Sequence, residues 1–221
     1  MRVVLKLGGR VAGDSIGLAL ERNAAGDEVV VVHGAGPQIT AELRSSGIAT
    51  RFVAGRRYTD PATLAVVRRS LVAVGAELSA ALGPAALHFV GDEIGLVATR
   101  LPELGLVGEP LPCRPGAVED SLAERRIPIV TPIAVGPLNV NADEAAAALA
   151  AGLGADRIVF VSDVPGVYVE GVVAERIHAD HADELLDAGV FDGGIVPKLL
   201  AAARAARLGI TAEIGETAVV A

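Results

Sequence analysis

Lys6 and Lys198 are charged residues that solvation alone does not explain, and Asp143 stands in a polar cluster between them in the sequence. Lys6 sits near the end of an apolar run, Arg2 to Leu7, where an ammonium is costly unless it faces a charge or a cavity. The bland alternative is an edge lysine that snorkels to water. Lys198 follows Phe191-Asp192-Gly193-Gly194-Ile195-Val196-Pro197 and enters the last helix beside its positive N-terminal end, which favours a shared anion. Asp143 opens an Ala/Leu helix, two residues after Asn141 and four after Asn139. Two lysines far apart in sequence, at glycine-rich or polar loops that end strands, suit phosphoryl transfer between two bound anions. Such chemistry is mostly positioning and charge neutralisation.

Glycines supply the other half of such a site. Gly8-Gly9 follows the first strand, and His33-Gly34-Ala35-Gly36-Pro37 follows the second and opens a helix. Strand, glycine-rich turn and helix expose backbone N–H groups to an anion. The pattern is neither a Walker A loop nor the full dinucleotide fingerprint. His33 reads as a structural residue at a strand end rather than a base. Gly55-Arg56-Arg57 either forks onto a carboxylate or forms a solvated basic loop. Taken singly, Asn139, Asn141 and Asp143 read equally well as turn and cap residues. Together, and followed by Ser162-Asp163 at the next strand end, they favour a site on the rim of a parallel sheet.

The elements that must position these residues alternate. Strands are expected at Arg2 to Leu7, Glu28 to Val32, Ala86 to Val90, Ile127 to Thr131 and Arg157 to Val161, with closing strands at Ile210 to Ile214 and Thr217 to Val220. Helices are expected at Asp14 to Arg22, Gln38 to Ser46, Ala62 to Leu82, Ala117 to Arg125, Glu144 to Leu153, His178 to Gly189 (Asp180 as cap) and Leu199 to Leu208. Thr59 or Asp60 caps the Ala62 to Leu82 helix. Leu64, Val67, Leu71, Val74 and Leu78 form its apolar stripe, and Ala73, Gly75 and Ala76 leave room for a partner helix, so this helix is the expected subunit interface. The fold expected is α/β, an open, mainly parallel αβα sandwich of two lobes, residues 1–140 and 141–221.

The chain has 221 residues, 52% hydrophobic, and a net charge of −8. Few aromatics, no tryptophan and the negative charge argue against a nucleic-acid partner. No apolar run reaches membrane-spanning length, so no membrane partner is expected. Cys113 is alone, so it forms no intrachain disulfide and marks no zinc site. No signal peptide precedes the first strand, and a cytoplasmic location is expected.

Seven motifs then resemble, in order and over nearly the whole chain, the amino acid kinase family. They are KLGG at Lys6–Gly9, HGAG at His33–Gly36, GRRYT at Gly55–Thr59, LGLVGE at Leu104–Glu109, NVNADEAAAALA at Asn139–Ala150, VSDVPGVY at Val161–Tyr168 and GGIVPK at Gly193–Lys198. NVNAD is the specific part and most resembles members acting on N-acetyl-L-glutamate; KLGG and the SDVPG turn are shared more widely. The resemblance implies ATP-dependent phosphorylation of that acid's side-chain carboxylate, with Mg²⁺ held largely through the phosphates.

By the same resemblance, Lys6 and Lys198 would stabilise the transferring phosphoryl and Asp143 would hold both lysines. Ala35, Gly36, Arg57, Asn139 and Asn141 would bind or border the acid. Gly8 and Gly9 would face the phosphates, with Gly9 and Ala35 offering backbone N–H groups to the γ-phosphate, while Ser162, Asp163, Val164, Gly166, Tyr168 and Gly194 would line the nucleotide pocket. A homodimer is implied. Other acids (a carrier-linked aminoadipate, glutamate or carbamate) and a non-catalytic regulatory relative are the alternatives. Ala35 stands where the family has glycine. It would cost about 1 kcal/mol if that position needs a positive φ.

Overall fold

The computed structural model describes residues 1–8, 13–53, 55–161 and 164–221. The chain opens with β1 (Arg2–Leu7), α1 (Gly13–Ala24), β2 (Glu28–His33) and α2 (Gly36–Ser45). A short hairpin, β3 (Phe52–Val53) and β4 (Arg56–Arg57), precedes α3 (Pro61–Leu82) and β5 (Ala86–Val90). Next come β6 (Ala98–Arg100), β7 (Val107–Pro110), α4 (Gly116–Ala123), β8 (Ile127–Thr131), β9 (Ile133–Ala134) and β10 (Leu138–Val140). α5 (Ala142–Leu153), β11 (Arg157–Phe160), β12 (Tyr168–Val169), β13 (Val172–Val173) and β14 (Arg176–His178) follow. The chain closes with α6 (Ala179–Asp187), α7 (Ile195–Arg207), β15 (Thr211–Ile214) and β16 (Thr217–Val220).

Among the described residues one sheet of eight strands, ordered β14-β16-β15-β11-β1-β2-β8-β5, forms the centre. Every neighbouring pair is parallel except β15 and β16. Both faces are covered, so the central strands are apolar at nearly every position. Alternation decides which face each side chain serves. Val3, Leu5 and Leu7 pack with Val29, Val31, Ile127 and Ile129 beneath α2 and α3, while Val4, Val30, Val32 and Ile158 pack beneath α4, α5 and α7. Lys6 shares the parity of Val4, so it points toward the α5 side. The expected open, mainly parallel αβα sandwich is present, and residues before and after 140 each contribute half of the large sheet.

Some local expectations shift. Asp60, not Thr59, caps α3 by accepting from the Thr63 N–H at 2.7 Å. Asp180 lies in the first turn of α6 and does not cap it; it pairs with Arg207 instead. The last helix starts at Ile195, so Lys198 lies one turn inside it. The apolar stripe of α3 is spent on the chain's own core, where Leu64, Val67, Leu71, Val74 and Leu78 are all buried. Gly75 faces inward too: a Cβ there would collide with the His88 ring. Only the outer face, with Ala73 and Ala76, remains exposed beside the edge strand β5.

Candidate active site

The site forms where β1, β2 and β10 end and α2, α5 and α7 begin. Lys6 and Asp143 are each 5% exposed and form an ion pair at 2.9 Å. Asp143 reaches this position because Asn141 caps α5, its side-chain oxygen accepting from the N–H groups of Asp143 at 2.8 Å and Glu144 at 3.2 Å. A cavity of about 420 Å³ opens in front of the pair, lined among others by Lys6, Gly8, Ala35, Gly36, Arg57, Asn139, Asn141, Asp143, Gly194 and Lys198. Gly194 and Lys198 also line a neighbouring cavity of about 350 Å³, with Val164, Gly166, Tyr168, Phe191, Asp192 and Ile195. Residues from all seven motifs are thus gathered around two adjoining spaces that meet at Lys198. The Lys198 Nζ donates to the Gly194 carbonyl at 3.2 Å.

Arg57 is held from several sides. Its Nη2 donates to Thr40 Oγ1 at 3.0 Å and its Nη1 to Thr50 Oγ1 at 3.3 Å, and the guanidinium carbon lies 4.6 Å from the Phe52 ring centroid. The side chain is 8% exposed, and among the described residues no carboxylate pairs with it. Burial pushes its pKa below the usual guanidinium value. Its neighbour Arg56 differs: Nε and Nη2 both donate to Glu144 Oε1, at 3.2 and 2.8 Å. Burial pushes the Glu144 carboxyl up, and Arg56 opposes the shift. One arginine of the pair is therefore neutralised within the chain and the other is left facing the cavity.

Helix ends add positive potential. Among the described residues no side chain caps α2 or α7, and both helices open onto these cavities. Exposed N–H groups at such ends favour anions. Ala35, at the head of α2, has φ −144°, an ordinary value for any residue. Position 35 needs no glycine, so the alanine carries no strain. His33 is structural, as expected. It is fully buried, with Nε2 3.1 Å from Thr131 Oγ1, which is also 2.8 Å from His88 Nε2. Burial, with the nearby His88 and Lys6, lowers the His33 pKa to about 4.

Three residues singled out by the sequence, Gly9, Ser162 and Asp163, lie outside the described residues. The sequence reading missed Thr40, Thr50 and Phe52 around Arg57, and the partnership of Arg56 with Glu144. Hydroxyls and an aromatic spaced 17, 7 and 5 residues from the arginine have no periodic signature.

The family model for the amino acid kinase family matches residues 1–216. The chain belongs to the amino acid kinase family. Its relatives in that family include an acetylglutamate kinase from Roseiflexus castenholzii, 39% identical over 95% of this chain and 87% of the relative. Another acetylglutamate kinase, from a strain of Thermus thermophilus, is 40% identical over 94% of this chain and 87% of its own length. Among solved structures, smu.665 from Streptococcus mutans UA159 superposes with a TM-score of 0.91 at 27% identity, covering 99% of this chain and 98% of that one. Carbamate kinase from Giardia lamblia shares the amino acid kinase fold, with a TM-score of 0.71 at 15% identity, covering 99% of this chain and 98% of that one. As a family member the chain is a kinase that uses ATP, and among its described residues no helix is long and apolar enough to cross a membrane.

Proposed function

We propose that the protein transfers the γ-phosphoryl group of ATP to the side-chain carboxylate of N-acetyl-L-glutamate, making N-acetyl-L-glutamyl 5-phosphate in arginine biosynthesis. The observation that carries this reading is Arg57. It is a buried cation with hydroxyls and a ring around it, no carboxylate against it among the described residues, and a cavity in front of it. A carboxylate ligand completes such a site. NVNAD at Asn139–Asp143 and the curated relatives named acetylglutamate kinase support the identity of the acid over glutamate, carbamate or a carrier-linked aminoadipate.

In this reading residues 1–140 hold the acceptor and residues 141–221 the nucleotide. Arg57 and Asn139 hold the acid, with Asn141 beside them and the N–H groups of Ala35 and Gly36 supplying further contacts. Val164, Gly166 and Tyr168 line the nucleotide space, joined in the proposal by Ser162 and Asp163. An oxygen of the ionised side-chain carboxylate attacks the γ-phosphorus, the bond to the β-bridging oxygen breaks, and ADP leaves. The attacking group carries no proton, so no residue acts as a base. Lys6 and Lys198 face the transferring group from the acceptor and nucleotide sides, with Gly8 lining the same cavity and Gly9 assigned to the phosphates in the proposal. Asp143 fixes Lys6 at 2.9 Å, and the proposal extends that role to Lys198.

Among the described residues no three His, Cys, Asp or Glu side chains group to hold a metal. In the proposal Mg²⁺ is carried by the nucleotide, where it neutralises phosphate charge. The proposal includes a cytoplasmic homodimer; its contact would use the outer face of α3 and the edge of β5, since the apolar stripe of α3 is spent inside the chain. The test is ATP turnover across N-acetyl-L-glutamate, glutamate, N-acetylaspartate and carbamate. The highest kcat/KM falls on N-acetyl-L-glutamate; preference for another acid overturns the substrate assignment.

A further inference from the structure

Thr59 is buried with no exposed surface and lies at the meeting point of three motifs. Its N–H donates to the Leu104 carbonyl at 3.0 Å, and its carbonyl accepts from the Leu106 N–H at 2.7 Å. Leu106 passes the connection on, its carbonyl accepting from the Asn139 N–H at 2.9 Å. Gly105 fits between only because it lacks a side chain: its φ is +82°, and a Cβ would collide with the Thr59 carbonyl oxygen. The backbone of GRRYT is thereby locked to LGLVGE, and LGLVGE to NVNAD.

The hydroxyl does something the backbone cannot. Thr59 Oγ1 donates its single proton to the Arg57 carbonyl at 2.8 Å. That leaves only lone pairs on the oxygen, and Asn139 Nδ2 donates to it at 3.0 Å. A hydroxyl with its proton committed accepts an N–H and repels a carbonyl oxygen, so it decides which way the Asn139 amide is turned. With Nδ2 held by Thr59, Asn139 offers Oδ1 and one remaining N–H to the cavity. The same oxygen pins the backbone from which the Arg57 guanidinium projects.

We propose that Thr59 is the positioning residue that sets Arg57 and Asn139 relative to each other and so fixes the binding of the acid. This rests on the reading of Arg57 and Asn139 as acid-binding residues. Thr59 touches neither substrate. Its effect falls on the acceptor and spares the nucleotide, whose cavity shares no lining residue with the Thr59 contacts.

The test uses the full chain carrying Thr59→Val, Thr59→Ala or Thr59→Ser, with KM for acid and for ATP, kcat and melting temperature measured on each. Thr59→Ala stands in for Thr59→Val if the isostere does not fold. Losing the hydroxyl raises the acceptor KM about tenfold or more, with the KM for ATP changed less than about threefold. Thr59→Ser, which keeps the hydroxyl, restores acceptor KM to within about threefold of the parent. In an Asn139→Ala background the hydroxyl deletion costs less than in the parent, because one of its two targets is gone. An unchanged acceptor KM in a folded Thr59 variant overturns the proposal. So does a loss spread equally over both substrates with a fallen melting temperature. If Arg57→Met and Asn139→Ala themselves leave the acceptor KM unchanged, the acid-binding reading fails instead.

Discussion

Replacing Arg57 by methionine should weaken acceptor binding strongly and leave stability nearly unchanged. In the free protein the guanidinium has two hydroxyl partners, at 3.0 and 3.3 Å, and an aromatic ring at 4.6 Å. Hydrogen bonds to a charged group contribute about 1.5–3 kcal/mol each, and a cation–π contact about 0.5–1 kcal/mol. Against these stands the cost of burying a guanidinium with no counter-ion, several kcal/mol. The two sides nearly cancel, so an unbranched apolar side chain of similar length should leave unfolding free energy within about 1–2 kcal/mol of the parent, with either sign. Binding is different, because the acid supplies the missing carboxylate. Losing one partner of a buried charge pair costs about 2–5 kcal/mol, which is roughly 30-fold to several thousand-fold in acceptor affinity. Steady-state kinetics with each substrate varied, and urea unfolding of the free protein, read the two quantities. The acceptor KM rises at least about 30-fold, the KM for ATP scarcely moves, and the unfolding free energy from urea stays within about 1–2 kcal/mol of the parent. A large loss of stability with a small change in acceptor KM would refute the reasoning, since Arg57 would then be a structural cation.

Asp143→Asn leaves Lys6 buried without its counter-charge and should cost about 3–5 kcal/mol in urea unfolding; Lys6→Met added to it recovers most of that stability but not turnover. His33 makes stability depend on pH. Its folded pKa, about 4, lies below the ordinary 6.5, so the unfolded chain takes up the proton first as pH falls. The contribution is fully present above the unfolded value and is lost as pH falls toward the folded one, about 3 kcal/mol in all. Urea midpoints measured across that window should slope in the parent and flatten in His33→Gln. Ala35→Gly should lower stability by about 0.4–1 kcal/mol with no gain in kcat, because φ −144° asks for no glycine. A rise in turnover would show instead that the methyl crowds the phosphate.

Much of the fold was legible because its signals are local and dense. Four consecutive valines at Val29–Val32 admit only a strand buried on both faces, and the strands from Ala86 and Ile127 begin and end where the apolar runs do. Helix ends were less legible, since Thr59 and Asp60 are equally good caps on paper and only the geometry assigns the bond to Asp60. The apolar stripe of α3 was visible, but a stripe does not say whether its partner is the same chain, and here Leu71 and Val74 meet the sheet beneath them.

The site divides in the same way. Lys6 and Lys198 stood out because a cation in an apolar strand or at a helix start needs a reason, Asp143 stood out only in company with Asn139 and Asn141, and the structure brings all three to one cavity. Arg57 was legible as a cation but not as the member of its doublet that lacks a carboxylate, because Glu144 lies 88 residues from Arg56. Thr59 was hidden for a similar reason: its hydroxyl serves Asn139, 80 residues away, and long-range side-chain pairing leaves no spacing to read.

The central claim is that a phosphoryl group passes to a carboxylate between Lys6 and Lys198. Its most direct test is to incubate the protein with ATP, Mg²⁺ and N-acetyl-L-glutamate in hydroxylamine, which captures an acyl phosphate as the hydroxamate. Hydroxamate that requires both substrates and collapses in Lys198→Ala is the expected result. ATP hydrolysis without hydroxamate, or product formation undiminished by Lys198→Ala, would contradict the account.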